Sequence, residues 1–305
     1  MSKPSKTLIV IAGPTASGKT AVGIQLARHL NTEIISADSR QFYREMSIGT
    51  AKPTTDELAH AKHHFINSHT ITDSFNVGDF EQQGLALLDT LFETHENVVM
   101  AGGSGLYIKA ICEGFDQLPD VDPTVRERLN MTYAEKGISF LQEKLKLADP
   151  EYYQQVDINN PQRLIRALEV FESSGQPFSS FHKKGFKQRP FNIIKIGLAL
   201  SREKLYERIN LRVDQMIADG LVKEVKALMP YRSLNALQTV GYTEIFDYLD
   251  DKTDLPRAIE LVKQNTRRFA KRQMTWFNKD KEINWIAPGD VINFVAQHIR
   301  NKGTI

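Results

Sequence analysis

A chain of 305 residues with 41% hydrophobic and 25% charged content has the makeup of a globular protein of one large or two smaller domains, with enough apolar mass for a sizeable core. The formal net charge is only +2, so no global field marks a nucleic-acid binder, and any polyanion site must come from local clustering. The single cysteine, Cys112, excludes an internal disulfide and a Cys-based zinc site, which fits a reducing compartment and makes the cytoplasm the expected location.

Lys3 and Lys6 precede an apolar run of six residues, too short for a signal peptide or a membrane span. That run, Thr7 to Ala12, is β-branched and aliphatic, as a strand buried on both faces requires. It enters Gly13-Pro14-Thr15-Ala16-Ser17-Gly18-Lys19-Thr20, a complete G-x-x-x-x-G-K-[ST] phosphate loop. Behind it Val22, Leu26 and Leu30 repeat at helical spacing. Strand, loop and helix in this order let backbone amides converge on phosphate oxygens, while Lys19 adds a point charge and the Thr20 hydroxyl can ligate magnesium. A di- or triphosphate ligand is the expectation.

Glu33 to Ala37 reads as a second short strand ending in Asp38, and Asn97 to Ala101 as a third that runs into Gly102-Gly103-Ser104-Gly105. Between them Asp79 reads as the cap of a helix whose Leu85, Leu88 and Phe92 share a face, with Gln82 three residues on. This alternation predicts an α/β fold, a parallel sheet covered by helices on both faces. Ligands of such sheets sit outside the carboxyl ends of the strands, so the loops at 13–20, 38–43 and 102–107 should face one crevice.

From about 115 to 190 helical signals replace strand signals, punctuated by Asp122-Pro123, Asp149-Pro150 and Asn160-Pro161. The expected organisation is therefore a first part of the core over 1–114, a helical insertion over 115–190 and a completion of the core over 191–305. The best-defined helix of the insertion starts at Asn160 and Pro161 and stops at Gly175. It should bury Leu164, Leu168 and Phe171 and turn Gln162, Arg163, Arg166 and Glu169 to solvent or a ligand. Phe191 to Leu200 returns to strand character, and Ser201 caps a helix that buries Leu205, Ile209, Val213 and Met216 and carries Arg208 and Arg212 on another face. A long helix near Pro256 to Phe277 carries Lys263, Arg267, Arg268, Lys271 and Arg272 beside an apolar stripe of Ile259, Val262 and Phe269, with Trp276 and Phe277 as core packing.

The chemistry narrows from there. No Asn-Lys-x-Asp guanine motif is present, which weakens a GTPase reading. Asp38 lies where an apolar strand ends, but Ser39-Arg40-Gln41-Phe42-Tyr43 after it suits a pocket for a second substrate better than a switch loop. His63 and His64, with no cysteine beside them, read as structural or hydrogen-bonding rather than metal-binding.

These segments, with Gly49-Thr50-Ala51-Lys52-Pro53, Val77-Gly78-Asp79-Phe80, Gly102 to Tyr107, Asn160 to Val170, Gln238 to Glu244 and Thr266 to Phe277, make the chain resemble the bacterial tRNA dimethylallyltransferases, or tRNA isopentenyltransferases, almost end to end. One departure is Asn67, where relatives often carry Asp. The resemblance implies a P-loop-containing nucleoside triphosphate hydrolase-like core. It implies transfer of the five-carbon group of dimethylallyl diphosphate to N6 of adenine 37, 3′-adjacent to the anticodon, in tRNAs reading codons that begin with U. The loop Gly13 to Thr20 would hold the donor's diphosphate rather than ATP, with Lys19, Mg2+ at Thr20, and Arg208 or Arg212 stabilising the leaving group. Asp38 would be the general base, and Gln41 and Tyr43 would hold a flipped adenine. The family's contacts to the anticodon stem-loop map onto Asp38, Ser39, Arg40, Gln41, Ser104, Arg126, Gln162, Arg163, Leu164, Ile165 and Arg166. The stretch 263–281, with seven Lys and Arg against one Asp, would track phosphates. A monomer with no obligate protein partner and no membrane association is the family-based expectation. A small-molecule kinase using ATP at the same loop, and a nucleotide-gated RNA-binding protein without catalysis, are the competing readings.

Overall fold

The computed structural model describes residues 6–114, 118–181 and 187–302. Chain order runs β1 (Thr7–Ala12), α1 (Lys19–Leu30), β2 (Ile34–Ser36), α2 (Thr55–His60), β3 (His63–His64), α3 (Val77–Thr94), β4 (Asn97–Gly102) and α4 (Gly105–Glu113). The helices α5 (Pro123–Lys136), α6 (Ile138–Ala148), α7 (Pro150–Gln155) and α8 (Pro161–Ser174) follow. The chain then forms β5 (Asn192–Leu198), α9 (Arg202–Ala218), α10 (Leu221–Ala227), α11 (Thr243–Leu249), α12 (Leu255–Phe277), β6 (Asn284–Ile286) and α13 (Val291–Lys302).

The six strands form one parallel sheet in the order β3-β2-β4-β1-β5-β6. Thr7 pairs with Asn97 on one side and Asn192 on the other, which places β1 at the centre, and all six of its residues are buried. Alternation along β1 divides the core. Leu8, Val10 and Ala12 pack with Phe80, Leu88, Ile108 and Ile111 of α3 and α4. Ile9 and Ile11 pack with Val22, Leu26, Val291 and Val295 of α1 and α13. Helices therefore cover both faces, the arrangement a sheet buried on two sides requires. A further cluster joins Tyr43 and Met46 to Tyr242, Val225 and Val262 of the C-terminal helices.

The chain divides into two compact units, 1–113 with 188–305, and 114–187. The second is helical, and its core is built on Leu129, Leu141, Leu145, Leu164 and Leu168. Asn160 caps α8 by accepting from Arg163 N, Pro161 stands in the first turn, and Gly175 ends the helix with φ 71°.

Four expectations change. The helix α3 begins earlier than the sequence suggests, because Asn76 is its cap and accepts from Gly78 N and Asp79 N. Asp79 is the reciprocal partner, and its carboxylate accepts from Asn76 N at 2.8 Å. Strands β3 and β6, two and three residues long, were not expected, since segments that short carry no period. Glu169 is fully buried rather than turned outward. On α12 the buried stripe is Ala258, Val262, Ala270, Gln273 and Phe277, so Phe269 and Trp276, each a step round the helix, stand 40% exposed.

Candidate active site

The carboxyl end of β1 turns directly into the phosphate loop. Gly18 caps α1 in the left-handed region at φ 99°, with no side chain accepting from the first-turn amides. Those amides are the orphan donors that an anion satisfies. Ala16 also has positive φ, 63°, a strained conformation for a residue with a Cβ. Lys19 Nζ donates back to Pro14 O at 2.7 Å. The Ser17 hydroxyl is buried and has no hydrogen-bond partner among the described residues.

Two other strand ends meet this loop. A Cβ on Gly102 would lie 2.1 Å from Ala37 O, so β2 and β4 approach as only glycine permits. Ser104 N donates to Ala37 O at 3.1 Å, and Ser39 N donates to Ser104 Oγ at 3.0 Å. Asp38 Oδ1 accepts from Arg40 N at 3.3 Å, and Gln41 N donates to Asp38 O, which closes the turn. Gln273 of α12 then bolts the loops together: its Oε1 accepts from Thr15 N at 2.8 Å and its Nε2 donates to Gly103 O at 2.9 Å.

The result is a cavity of about 300 Å³ lined by Thr15, Ala16, Gly18, Lys19, Thr20, Asp38, Gln41, Thr50, Lys52, Arg208 and Arg212, among others. Arg208 Nη2 would lie 3.3 Å from a Cβ on Gly18, which places the guanidinium over the loop. Among the described residues no carboxylate forms an ion pair with Lys19, Arg208 or Arg212. Burial pushes the Lys19 ammonium down to about 8, against the attraction of Asp38 and with the repulsion of Arg212. Burial likewise holds the Asp38 carboxyl above its usual range, with Lys19 and the Arg40 amide opposing. Lys52, also lowered by burial to about 8, donates to Tyr43 O and to Asn67 Oδ1. Asn67 thus offers Lys52 a neutral acceptor.

The phosphate loop, Asp38, Ser39, Arg40, Gln41, Ser104, Arg208 and Arg212 are brought together at the sheet end. Tyr43 is not: it is 7% exposed and packs in the core cluster of Tyr242, so it cannot stack on a ligand in the cavity. Gln41 does line the cavity, but its Nε2 is committed to Thr50 O and Ala51 O, both at 3.1 Å. Gln273 went unrecognised, although a lone glutamine in the apolar stripe of α12 is a legible signal. His63 donates from Nδ1 to Ala61 O and His64 pairs with Glu33, and no group of three or more His, Cys, Asp or Glu among the described residues could hold a metal ion.

Within 114–187, Arg126, Gln162 and Arg166 gather around buried Glu169. Arg126 Nη1 lies 3.3 Å from Glu169 Oε2, Arg166 pairs with the other carboxylate oxygen, and Arg126 Nη2 donates to Gln162 Oε1 at 3.4 Å. Arg163 is exposed. Leu164 and Ile165, mapped to the RNA face by resemblance, are fully buried, because helical rotation carries them to the core side of α8.

The family model described as IPP transferase matches residues 41–280. The chain belongs to the IPP transferase family. This IPP transferase is 54% identical to a tRNA dimethylallyltransferase of Christiangramia forsetii, over 98% of this chain and 99% of that one. It is 49% identical to one from Cytophaga hutchinsonii, over 95% and 96%. Its fold resembles the full-length tRNA isopentenylpyrophosphate transferase of Bacillus halodurans with a TM-score of 0.72 and 36% identity, covering 98% of each chain. A eukaryotic dimethylallyltransferase acting on tRNA superposes with a TM-score of 0.78 and 25% identity, covering 93% of this chain and 74% of that one. The IPP transferase is thus a tRNA-modifying enzyme, a prenyl transferase on the P-loop NTPase-like fold. No described helix of it is long and apolar enough to cross a membrane.

Proposed function

We propose that the enzyme transfers the dimethylallyl group of dimethylallyl diphosphate to N6 of adenine 37, 3′-adjacent to the anticodon, in tRNAs reading codons that begin with U. The observation that carries this reading is a single cavity in which the phosphate loop and Lys19, Arg208 and Arg212, with no carboxylate in ion-pair range among the described residues, share the wall with the carboxyl group of Asp38. Lys19 and Arg212 are half-buried at the cavity wall without a carboxylate in ion-pair range among the described residues, which costs hydration, and an incoming diphosphate offsets that cost.

The exocyclic amine of adenine is a poor nucleophile, because its lone pair is delocalised into the ring. As the bond from N6 to the allylic carbon forms and the carbon–oxygen bond to diphosphate breaks, N6 must lose a proton. Asp38 is the acceptor in this reading, and its raised proton affinity suits the task; such a base is worth roughly 10²- to 10⁴-fold. The departing diphosphate gains negative charge, which the amides of Gly13 to Thr20, Lys19, Arg208 and Arg212 are arranged to meet.

Magnesium favours one or two protein oxygens together with substrate phosphates and water, and the Thr20 hydroxyl at the cavity wall fits that donor set. When bound, the ion would help neutralise charge on the diphosphate.

An adenine stacked in an anticodon loop cannot reach the cavity, so it must be flipped out and met by polar groups at Asp38 to Gln41 and Ser104. Arg126, Gln162, Arg163 and Arg166 of the helical unit, and the basic stretch 263–281, are proposed to contact the anticodon stem-loop. We place the enzyme in the cytoplasm as a monomer. Incubation with magnesium, unmodified tRNA and labelled dimethylallyl diphosphate, beside a tube with labelled ATP, tests the reading. Label should enter RNA at the adenine following the anticodon; ADP without prenylated RNA would replace this reading with a kinase.

A further inference from the structure

The loop 47–53 supplies Thr50, Ala51, Lys52 and Pro53 to the cavity, yet it belongs to neither the phosphate loop nor the Asp38 turn. Three successive amides of it are held from behind by one side chain. Glu224 of α10 accepts from Ser47 N at 3.0 Å and Ile48 N at 2.7 Å through Oε2, and from Gly49 N at 3.0 Å and the Tyr242 hydroxyl at 2.6 Å through Oε1. Each carboxylate oxygen thus accepts two donors, the full capacity of an ionised carboxylate. Tyr242 is fully buried, and burial followed by the charge of Glu224 raises its phenol far above the ordinary range, so it remains a donor. A Cβ on Gly49 would lie 2.5 Å from the Tyr242 ring, so the loop backbone approaches that ring as only glycine permits.

The far side of this loop touches Gln41. The Thr50 and Ala51 carbonyls, which follow directly on the three clamped amides, accept the Gln41 Nε2 donors at 3.1 Å each. That orients the Gln41 amide where it lines the cavity. Glu224 does not line the cavity itself. We propose that Glu224, with Tyr242, is a positioning residue for the acceptor side of the reaction: it fixes the loop 47–51, which fixes Gln41, which orients the incoming adenine. The proposal rests on the prenyl-transfer reading above and extends it to residues that touch no substrate.

Glu224→Gln leaves one acceptor oxygen and turns an amide NH₂ toward main-chain donors, so two of the four donors lose their partner. The expected result is a loss of about 10- to 100-fold in kcat/KM for tRNA, the scale of a small misplacement at a reacting centre, with the KM for dimethylallyl diphosphate unchanged. Tyr242→Phe, which keeps the ring, should give a smaller loss in the same direction. In a Gln41→Ala background Glu224→Gln should add less than about twofold, because the two act in series. Amide hydrogen exchange at Ser47, Ile48 and Gly49 should accelerate in Glu224→Gln while the rest of the sheet keeps its protection.

Full additivity with Gln41→Ala, an equal loss of donor affinity, or unchanged exchange at 47–49 would each overturn the proposal. Absence of prenyl transfer by the unsubstituted enzyme would instead overturn the function, and exchange at 47–49 would still decide whether the clamp exists.

Discussion

Two pairs of arginines are handled in opposite ways. Arg208 and Arg212 line the cavity at the sheet end with no carboxylate in ion-pair range among the described residues, while Arg126 and Arg166 of the helical unit share buried Glu169. Arg212 is half-buried and Arg208 exposed, so Arg212 bears most of the hydration cost of standing without a carboxylate, and an incoming anion completes the arrangement for both. Holding partly exposed guanidiniums on a buried carboxylate fixes their rotamers, which in the proposed function would reduce the freedom lost on meeting RNA and leave the outer donors to reach phosphate. The first arrangement fits transition-state charge and the second fits steady binding.

The comparison breaks most sharply at Asp38. Asp38→Ala should lower the single-turnover rate roughly 10²- to 10⁴-fold while tRNA affinity holds, and an equal loss of binding would move Asp38 to the binding class. Next comes Lys19→Ala, for which the loss of one preorganised donor predicts a fall of roughly 10²- to 10³-fold in the same rate. Unchanged turnover in that variant would remove the phosphate loop from the chemistry.

A change in pH sharpens the same point. Burial lowers Lys19 to about 8, so the free enzyme loses this charge as pH rises through that value, and kcat/KM for the donor should fall on the alkaline side near 8. Bound diphosphate favours the charged lysine, so the corresponding limb in kcat should move to higher pH. With Asp38 as the proposed base, the acid limb should lie above the usual carboxylate range, because a base must be ionised to accept a proton and burial raises this carboxyl. Lys52 is also lowered to about 8, and Lys19→Arg separates the two: the alkaline limb disappears if Lys19 carries it and persists if Lys52 does.

What could be read from the sequence was what local chemistry fixes. The run Thr7 to Ala12, the glycines of the phosphate loop and the Pro161 to Gly175 punctuation of α8 each state their own conformation within a few residues. The convergence of three strand ends also followed, since a parallel sheet puts its carboxyl ends on one edge. What could not be read depends on partners distant in sequence. Glu224 reaches Ile48 across 176 residues, and Gln273 reaches Thr15 across 258, so no window of sequence contains both halves of either contact. Glu169 is the converse case. Its charge pointed outward, but two arginines, one from α5 and one from its own helix, allow it to be buried.

The smallest expected effect separates two neighbours on α8. Arg163 is exposed, so Arg163→Ala should weaken tRNA binding with little loss of stability and reduce the slope of log K against log salt by about 0.7 to 0.9 for the one phosphate contact removed. Arg166→Ala should remove the same kind of proposed contact and also takes one of two guanidiniums from Glu169. The added destabilisation should stay below the ~3–5 kcal/mol of a fully buried pair, because Arg126 remains 3.3 Å from the carboxylate and the pair is partly solvated. Thermal melting and salt-dependent tRNA titration on both variants therefore give different signatures. A lower melting temperature with Arg166→Ala alone, and a similar change in salt slope for both, would establish that Glu169 holds a binding residue. A fall in dimethylallyl diphosphate affinity matching the fall in tRNA affinity would show instead that residues 163 and 166 belong to the donor site, and the contrast between the two arginine pairs would collapse.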